Sequence, residues 1–408
     1  MHKGSRQTPA VLIPFPEIGS PWGGWQSFID RLIQHSADQG LLVKRLIIPA
    51  WFEYGIVWPG LKAGQLLSRG MGVVWATLCR GVYITIALWI HWPLTRERAI
   101  CFSADPLLLA FIGWPSHLCM LGVYSEGPSS KEEAMRKGIW QATGRQHFGI
   151  RLLMAVERRS CMRAARIVAD SPTGLQKMVS ILGLPPEKGE VIWLGIETVQ
   201  MRNNEEDRQH LRERLGWPKD TIVAIFTGQL YRVKGIDILF EAVRRQPDDR
   251  LRLVVLGKGE LEAPLRQACL LDPVLGRRIH MAGYQCDVFR FLRGADIFVL
   301  PSRQEGTSTS LLEALSIGLC AVGSDVGGIH DVLSAGSCGV LVPPENPEAL
   351  AQTLRDLTNA PERRADLGRR GPEFVLQNCR AQDMAARYAA VFRALNSPKA
   401  AVLSREWQ

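Results

Sequence analysis

Residues 301–315 combine side chains that could bind a phosphate and the hydroxyl groups on either side of it. Residues 306–310 are small or hydroxylated where a helix is predicted to begin, and the N–H groups and positive dipole end of a helix N-terminus favour a phosphate. Glu305 precedes this helix and Glu313 lies inside it, so their carboxylates could accept hydrogen bonds from hydroxyls flanking the phosphate. The pattern favours a nucleotide sugar. The alternative is that the hydroxyls only cap the helix and the glutamates are solvated.

A second loop, 227–237, places two cations directly before another predicted helix. Arg232 and Lys234 lie between Gly228 and Gly235, and cations there can neutralise the charge that develops on a departing diphosphate. A pair of solvated turn residues is the other explanation. Ligands of open α/β sheets bind beyond the carboxyl ends of the strands, so we expect both loops at the same sheet edge.

The elements that must position these loops are short apolar runs alternating with segments of helical spacing. This order predicts two doubly wound α/β domains in tandem, each a parallel sheet covered by helices. The predicted strands of the first half are 11–13, 43–48, 99–102, 119–124, 166–169 and 190–194, and those of the second half are 222–226, 251–256, 279–282, 297–300, 320–323 and 339–342.

The predicted domains are 1–200 and 201–378, with a terminal helix and tail at 379–408. The boundary is expected near 195–207, where the last strand of the first half gives way to a polar stretch. The terminal helix, about 381–395, is amphipathic and could pack on either domain.

Composition excludes several classes of protein. With 408 residues, 46% apolar, the chain is neither disordered nor collagen-like. Its nine cysteines are dispersed without a C-x-x-C pair, which favours reduced thiols in the cytoplasm and no structural zinc. A short, proline-broken apolar run near the N-terminus makes a signal peptide an unfavoured interpretation.

The motifs of the second half resemble those of the retaining family 4 glycosyltransferases, which have the GT-B fold of two Rossmann-like domains facing across a cleft. The resemblance extends over most of 221–357, and the spacing of two glutamates with seven residues between them is the family's signature. The matching stretches are G-Q-L-Y-R-V-K-G, L-G-K-G-E, A-G-Y, A-D-I-F-V-L-P-S-R-Q-E-G-T-S-T-S-L-L-E-A-L, S-D-V-G-G-I-H-D-V and C-G-V-L-V-P-P-E-N-P-E-A-L. The first half matches mainly in plan and in V-I-W-L-G-I-E.

The resemblance implies a role for each matching position. Glu305 would contact the donor sugar, Glu313 the ribose hydroxyls, and Lys234 the diphosphate leaving group. Gly283 and Tyr284 would lie against the nucleobase. The donor site would also include Gly228, Gln229, Arg232 and the backbone of Gly306, Thr307, Ser308, Thr309 and Ser310. One position departs from the family: Gln229 stands where an arginine is usual. Arg232 could supply the missing charge, and reduced activity is the alternative.

The first half offers fewer candidates for acceptor binding. Gly23 and Gly24 belong to a glycine-rich stretch where family members have a loop facing the cleft, although a plain flexible turn explains them as well. The histidine that family members often place near the reacting sugar is missing from 123–127. Asp105 and Glu126 are the remaining acceptor-side candidates.

Charge and tryptophan are concentrated in the first half. Of the net charge of +9, residues 1–200 hold a surplus of seven basic side chains (21 against 14), and nine of the twelve tryptophans precede residue 141. Basic residues at helical spacing within 131–166 would attract an anionic membrane, and tryptophan favours its interface. An aromatic core beside a solvated basic helix is the equal alternative. The apolar stretch 71–92 contains Arg80, which disfavours a membrane span. No nucleic-acid recognition module is present.

Together these observations predict a retaining glycosyltransferase that moves a sugar from a UDP- or GDP-sugar to a hydroxyl of a saccharide or lipid-linked acceptor, in bacterial-type polysaccharide or glycolipid assembly. No metal or other cofactor is expected. The protein is expected in the cytoplasm or peripherally on the inner face of the membrane. The alternative is a catalytically silent nucleotide-sugar-binding or scaffold subunit, motivated by Gln229 and the missing histidine.

Overall fold

The computed structural model describes residues 10–16, 23–48, 99–103, 119–124, 155–197 and 205–395. Contacts divide the chain into two units. Unit 1 consists of Met1–Trp193 and Ala381–Gln408, and unit 2 of Leu194–Arg380. The sequence predicts this boundary near 195–207 and allows the terminal helix to pack on either domain.

Unit 1 contains a six-stranded sheet in which every pair is parallel, in the order β2-β1-β3-β4-β5-β6. This is the doubly wound arrangement that alternating strands and helices predict. Its strands are β1 (Ala10–Pro16), β2 (Leu42–Ile48), β3 (Ala99–Ser103), β4 (Cys119–Tyr124), β5 (Arg166–Ala169) and β6 (Gly189–Val191), and its labelled helices are α1 (Gly23–Asp38) and α2 (Pro172–Leu182). Residues 155–163 are also helical.

The last helix of the chain, α12 (Ala381–Leu395), returns to unit 1 and packs on α1. The ring of Tyr388 lies edge-on to Phe28 at 5.6 Å and to Phe102 at 5.5 Å between centroids. Phe392 meets Phe102 at 5.9 Å. Tyr388 is 1% exposed, and its burial raises the pKa of the phenol well above its usual value. The apolar face of α12 therefore completes the core beside β3.

Unit 2 contains a second parallel six-stranded sheet, in the order β12-β11-β10-β7-β8-β9. Its strands are β7 (Ile222–Thr227), β8 (Leu251–Leu256), β9 (Ile279–Gly283), β10 (Ile297–Leu300), β11 (Cys320–Ser324) and β12 (Gly339–Val342). The helices are α3 (Glu205–Leu215), α4 (Ile236–Arg244), α5 (Glu262–Leu271), α6 (Pro273–Arg278), α7 (Phe289–Leu292), α8 (Thr309–Ser316), α9 (Gly327–Gly336), α10 (Pro347–Asn359) and α11 (Pro361–Asn378).

The central strands of unit 2 are buried on both faces. All residues of β7, β10 and β11 are buried, which explains why their sequences are continuous apolar runs instead of alternating ones. In register, Ala224 of β7 pairs with Ile297 of β10, so the two strands run side by side in the same direction. Their carboxyl ends, and the loops that follow, therefore emerge at the same edge of the sheet.

Two local expectations need correction. The strand predicted at 190–194 is β6, which ends at Val191. Ile192 still donates to the Ala169 carbonyl at 3.0 Å, but Leu194 is buried outside any strand, so the apolar pattern predicted too long a strand. Arg166 does not continue the basic helix: it opens β5, with its side chain exposed.

Other expectations lie outside the described residues. They include the apolar stretch 71–92, the candidates Asp105 and Glu126, and the basic residues from 131 to 154. Within the described ranges, no helix combines the length and apolar character that crossing a membrane requires.

Candidate functional site

The two loops predicted to carry the chemistry meet at the carboxyl edge of the unit 2 sheet. After β7 the chain passes through a glycine loop and a short 3₁₀ turn, Arg232–Lys234, before α4 begins at Ile236. After β10 it passes through 301–308 before α8 begins at Thr309. Because β7 and β10 are hydrogen-bonded neighbours, the sheet itself holds the two loops together.

A lysine and a glutamate join the two loops. Lys234 Nζ donates to both carboxylate oxygens of Glu305, each at 2.6 Å. Ser302, fully buried, donates its hydroxyl to Glu305 Oε2 at 3.0 Å. The Glu305 side chain is only 8% exposed and that of Lys234 22%. The carboxylate is thus held in one place by an ammonium and a hydroxyl, while the ammonium keeps a path to solvent.

Backbone contacts bring the loops this close. Gly235 has φ +66°, and a Cβ at this position would stand 1.9 Å from the Pro301 carbonyl oxygen. Glycine is therefore required here both by its conformation and by the neighbouring chain. Arg303 N donates to the Val233 carbonyl at 2.8 Å. The approach of Lys234 to Glu305 is built into the main chain.

A third loop supports Glu305 from the other side. Gly328, at the start of α9, donates its N–H to the Glu305 carbonyl at 3.1 Å. A Cβ on Gly327 would stand 2.1 Å from that oxygen, and one on Gly328 would stand 2.4 Å from the carbonyl carbon of Gly306. The G-G of the S-D-V-G-G motif thus provides a flat backbone surface for residues 305–307.

The N-terminus of α8 lies three residues after Glu305, with Ser308 at the cap position. Ser308 caps the helix, accepting from Leu311 N at 3.4 Å, and its hydroxyl lies 3.0 Å from that of Ser310. Glu313 is the fifth residue of α8 and half-buried. Thr307 and Ser308 are each 7% exposed. The first turn therefore presents backbone N–H groups and hydroxyls beside the Lys234–Glu305 pair, the arrangement that favours a bound anion.

The loops after β7, β8 and β9 form a second connected group. Gly228 N donates to the Leu256 carbonyl at 3.1 Å, and Gly257 N to the Gly283 carbonyl at 2.8 Å. A Cβ on Gly257 would stand 1.8 Å from the Gly228 carbonyl oxygen. Tyr284, 64% exposed, lies under the ammonium of Lys258 at 5.7 Å from the ring centroid. Its exposed ring is a surface on which a planar group could stack.

The structure brings most of the predicted donor-side residues to one sheet edge. Lys234 and Glu305 are in direct contact, and residues 306–310 lead into α8, which begins at Thr309. Arg232 is exposed and Gln229 is half-buried, both in the loop after β7. Gly23 and Gly24 do not form a loop: they are the first two residues of α1. A local glycine pattern does not distinguish a loop from a helix start, which explains that error.

Sequence reasoning assigned no role to Arg303, Asp237, Glu345 or Ser302. Arg303 binds Asp237 through both terminal nitrogens, at 2.8 and 2.9 Å, and Glu345 through Nε at 2.7 Å. The hydrogen bonds that Arg303 donates to Asp237 raise the pKa of Arg303. Burial acts to raise the pKa of Asp237, but the hydrogen bonds and positive charge of Arg303, together with backbone N–H groups, hold that pKa below its usual value. Only the P-S-R-Q-E-G stretch itself pointed to this neighbourhood.

Among the residues the structure describes, no group of three or more His, Cys, Asp or Glu side chains is placed to hold a metal ion. The positive charges described at the site are protein side chains. Lys234 contacts Glu305, and Arg232 is exposed in the same turn.

Curated proteins with similar sequences are glycosyltransferases. A D-inositol 3-phosphate glycosyltransferase of Catenulispora acidiphila is 32% identical over 212 residues, 49% of this chain and 50% of that protein. A putative teichuronic acid biosynthesis glycosyltransferase of Bacillus subtilis, TuaC, is 34% identical over 164 residues, 40% of each chain. The chain spans half or less of the length of these two relatives.

Solved structures agree over nearly the whole chain. Anabaena Alr3699/HepE in complex with UDP matches with a TM-score of 0.69 at 14% identity, covering 95% of this chain and 100% of that one. Sucrose-phosphate synthase from Thermosynechococcus elongatus matches with 0.72 at 18% identity, covering 95% and 99%. WaaG, a glycosyltransferase involved in lipopolysaccharide biosynthesis, matches with 0.67 at 17% identity, covering 94% and 99%. At these identities the matches establish the fold, which is GT-B.

The family model described as "Glycosyl transferases group 1" matches residues 207–374, which include both loops of the site and all the strands of the unit 2 sheet. The match to the glycosyl transferases group 1 family thus covers the sheet that carries the candidate site, within a chain that has the GT-B fold.

Proposed function

We propose that the chain is a nucleotide-sugar-dependent glycosyltransferase that transfers its sugar with retention of the anomeric configuration. The observation that carries this proposal is the Lys234–Glu305 contact at 2.6 Å beside the N-terminus of α8. It combines a carboxylate able to hold sugar hydroxyls with a cation and a helix N-terminus able to hold phosphate.

The donor would extend along the carboxyl edge of the unit 2 sheet. Its diphosphate would lie at the start of α8, where Lys234 and the exposed Arg232 supply positive charge. Its sugar would contact Glu305, its ribose Glu313, and its base the turn at Gly283 and Tyr284. UDP is the base-bearing group named in the HepE complex, which supports UDP over GDP as the first donor to test.

The reaction would break the bond between the anomeric carbon and the diphosphate oxygen. Negative charge then grows on that oxygen, and Lys234 together with the α8 N-terminus stabilises it more strongly than in the ground state. The acceptor hydroxyl would attack from the face that the diphosphate leaves, giving retention, and pass its proton to the departing phosphate. The protein's own cations carry the charge, so the proposal includes no resident metal.

We propose a saccharide or lipid-linked acceptor in polysaccharide or glycolipid assembly. The relatives support this through TuaC and WaaG, whose descriptions name teichuronic acid and lipopolysaccharide biosynthesis. We also propose that the protein binds to the anionic cytoplasmic surface of a membrane. The exposed Arg158, Arg159 and Arg163 on the helix at 155–163 support this, because anionic lipids attract basic side chains.

A catalytically silent donor-binding subunit is the second candidate. Gln229 stands in the loop after β7, where the related enzymes usually carry an arginine, so the phosphate site has one fewer charge. This candidate predicts nucleotide binding without turnover.

Donor hydrolysis and transfer by the purified chain test the proposal. The chain is first screened with UDP- and GDP-sugars for thermal stabilisation, since a ligand at 100 times its dissociation constant adds about 2.7 kcal/mol to stability. Glu305→Gln should lower transfer about 100-fold while keeping UDP affinity. Lys234→Ala should weaken UDP binding by about tenfold or more, the value of a charge-assisted hydrogen bond.

Matched controls use the same substitutions at exposed positions away from the site. Glu362→Gln lies in α11 and Lys219→Ala precedes β7, at the opposite end of that strand from Lys234. Both should behave as the wild type. Nucleotide binding without turnover would favour the silent subunit, and wild-type turnover by Glu305→Gln would exclude the proposed role of that carboxylate. The anomeric configuration of the product, read by NMR, tests retention.

Co-sedimentation with vesicles tests the membrane proposal. Binding to anionic vesicles should be strong at low salt and weak at high salt, because salt screens the arginines. A triple variant in which Arg158, Arg159 and Arg163 are each replaced by Gln should bind these vesicles less and keep unchanged donor hydrolysis. Equal sedimentation with and without vesicles would favour a soluble acceptor.

A further inference from the structure

Arg303 has more contacts than any side chain described above. Its guanidinium grips the Asp237 carboxylate with two nitrogens and donates to Glu345 through Nε and to the Arg232 carbonyl at 2.5 Å. Asp237 belongs to the first turn of α4, and Glu345 to the loop after β12. One side chain therefore links three loops at the carboxyl edge of the sheet.

Arg303 also binds a second acid, Asp237, which follows Lys234 by three residues in the chain. The same nitrogen, Nη1, contacts Asp237 Oδ1 and the Arg232 carbonyl, so these two oxygens lie within about 5 Å of each other. Lys234 closes the 3₁₀ turn that begins at Arg232, and its flexible four-carbon side chain can turn towards either acid. In the structure the Lys234 ammonium donates to Glu305, and Arg303 donates to Asp237.

We infer that Arg303 is a positioning residue whose function is to sequester Asp237, so that Lys234 remains on Glu305 and available to a donor diphosphate. The expected effect on catalysis rests on the proposed function. The position of Lys234, however, can be determined without measuring turnover.

The charges explain why sequestration is needed. Asp237 is half-buried, and without Arg303 its carboxylate would lose both arms of its bidentate pair. An incompletely solvated carboxylate recruits the nearest mobile cation. Moving the Lys234 ammonium to Asp237 would leave the Glu305 carboxylate with only the Ser302 hydroxyl and would take the positive charge away from the proposed phosphate position.

The sequestering role and a simple structural ion pair predict different results. If Arg303 and Asp237 only tie loops together, removing either partner should do equal harm. If Arg303 masks Asp237, then Arg303→Met is harmful because Asp237 is still there. Asp237→Asn alone should be mild, and the double variant should recover what Arg303→Met loses.

The experiment measures transfer kcat/KM, UDP affinity and thermal midpoint for Arg303→Met, Asp237→Asn and the double variant. We expect about a 100-fold loss of kcat/KM for Arg303→Met, the effect of a displacement of about 1 Å at a reacting group. Asp237→Asn should stay within a few-fold of wild type, and the double variant should recover at least tenfold. Glu345→Gln is the control, because it removes a negative charge from an Arg303 contact without unmasking Asp237.

Equal losses for Arg303→Met and Asp237→Asn, or no recovery in the double variant, would overturn the inference. Arg303→Lys keeps the positive charge and should retain more activity than Arg303→Met, which covers the case in which the Met variant folds poorly. A wild-type chain without turnover refutes the proposed function instead. A crystal structure of Arg303→Met then decides the inference: Lys234 Nζ on Asp237 supports it, and Lys234 Nζ still on Glu305 overturns it.

Discussion

Replacing Gly235 with alanine tests whether the close approach of the two loops is required for activity. Gly235 has φ +66°, and a Cβ would meet the Pro301 carbonyl oxygen at 1.9 Å. A carbon and a carbonyl oxygen normally approach no closer than about 3.3 Å, so the loops must separate by roughly 1 to 1.5 Å. The Lys234–Glu305 contact of 2.6 Å bridges these same loops and would be stretched beyond hydrogen-bond distance.

A second glycine isolates the conformational part of this effect. Gly216 has nearly the same φ, +65°, but nothing lies within 4 Å of its Cβ position. Gly216→Ala should therefore cost about 1 kcal/mol, the penalty of a left-handed conformation for an L-residue. Gly235→Ala adds an overlap that costs about 1 to 3 kcal/mol more, for a total of about 2 to 4 kcal/mol.

The assay pairs urea unfolding with donor turnover for both variants. Gly235→Ala should be the less stable of the two and should lose most of its turnover, about 100-fold for a misplacement of this size. Gly216→Ala should keep wild-type turnover. If the two variants lose equal stability, or if Gly235→Ala stays fully active, the rigid packing of the two loops is not what positions Lys234.

Three further predictions concern single side chains. Ser302→Ala removes a hydroxyl bonded to Glu305 and should lower transfer about tenfold, measured as kcat at saturating donor, with little change in UDP affinity. Gln229→Arg should keep or raise turnover and UDP affinity, and a loss of turnover would show that the site is organised around the glutamine. Exposed Cys286 should react with maleimide rapidly, whereas Cys320, whose pKa burial raises to about 12, should stay unmodified in peptide mapping until the protein unfolds. In the unfolded protein the Cys320 thiol ionises near its ordinary pKa of 9.0, whereas in the folded protein it keeps its proton to a higher pH. Raising the pH above about 9 should therefore lower the free energy of unfolding measured by urea titration.

The strands of unit 2 were predictable because each is a continuous apolar run bounded by turn residues. The runs 251–256, 297–300 and 339–342 agree with β8, β10 and β12 to the residue. The meeting of the loops after β7 and β10 followed from topology alone, since the carboxyl ends of parallel strands share one edge. Local pattern and general topology therefore sufficed to place Lys234 and Glu305 in the same region.

The Arg303 contacts were not predictable by the same reasoning. Its partners Asp237 and Glu345 are 66 and 42 residues away, and an arginine in a polar loop is normally solvated. Likewise the S-D-V-G-G motif was noticed without its role, because the requirement for Gly327 and Gly328 comes from the backbone of Glu305 and Gly306. Contacts between side chains that are distant in sequence become visible only in the folded structure.

The return of α12 to unit 1 has a consequence for biosynthesis on the ribosome. Unit 2 is one uninterrupted segment, Leu194–Arg380, whose ends are already joined by the Ile196 N–H donating to the Cys379 carbonyl at 2.8 Å. Unit 1 cannot cover Phe28 and Phe102 until α12 has been translated. N-terminal domains generally fold first during synthesis. Here we expect the reverse order, because all of unit 2 is translated before the last segment of unit 1. Until then the N-terminal part of unit 1 exposes apolar surface, to which a chaperone could bind.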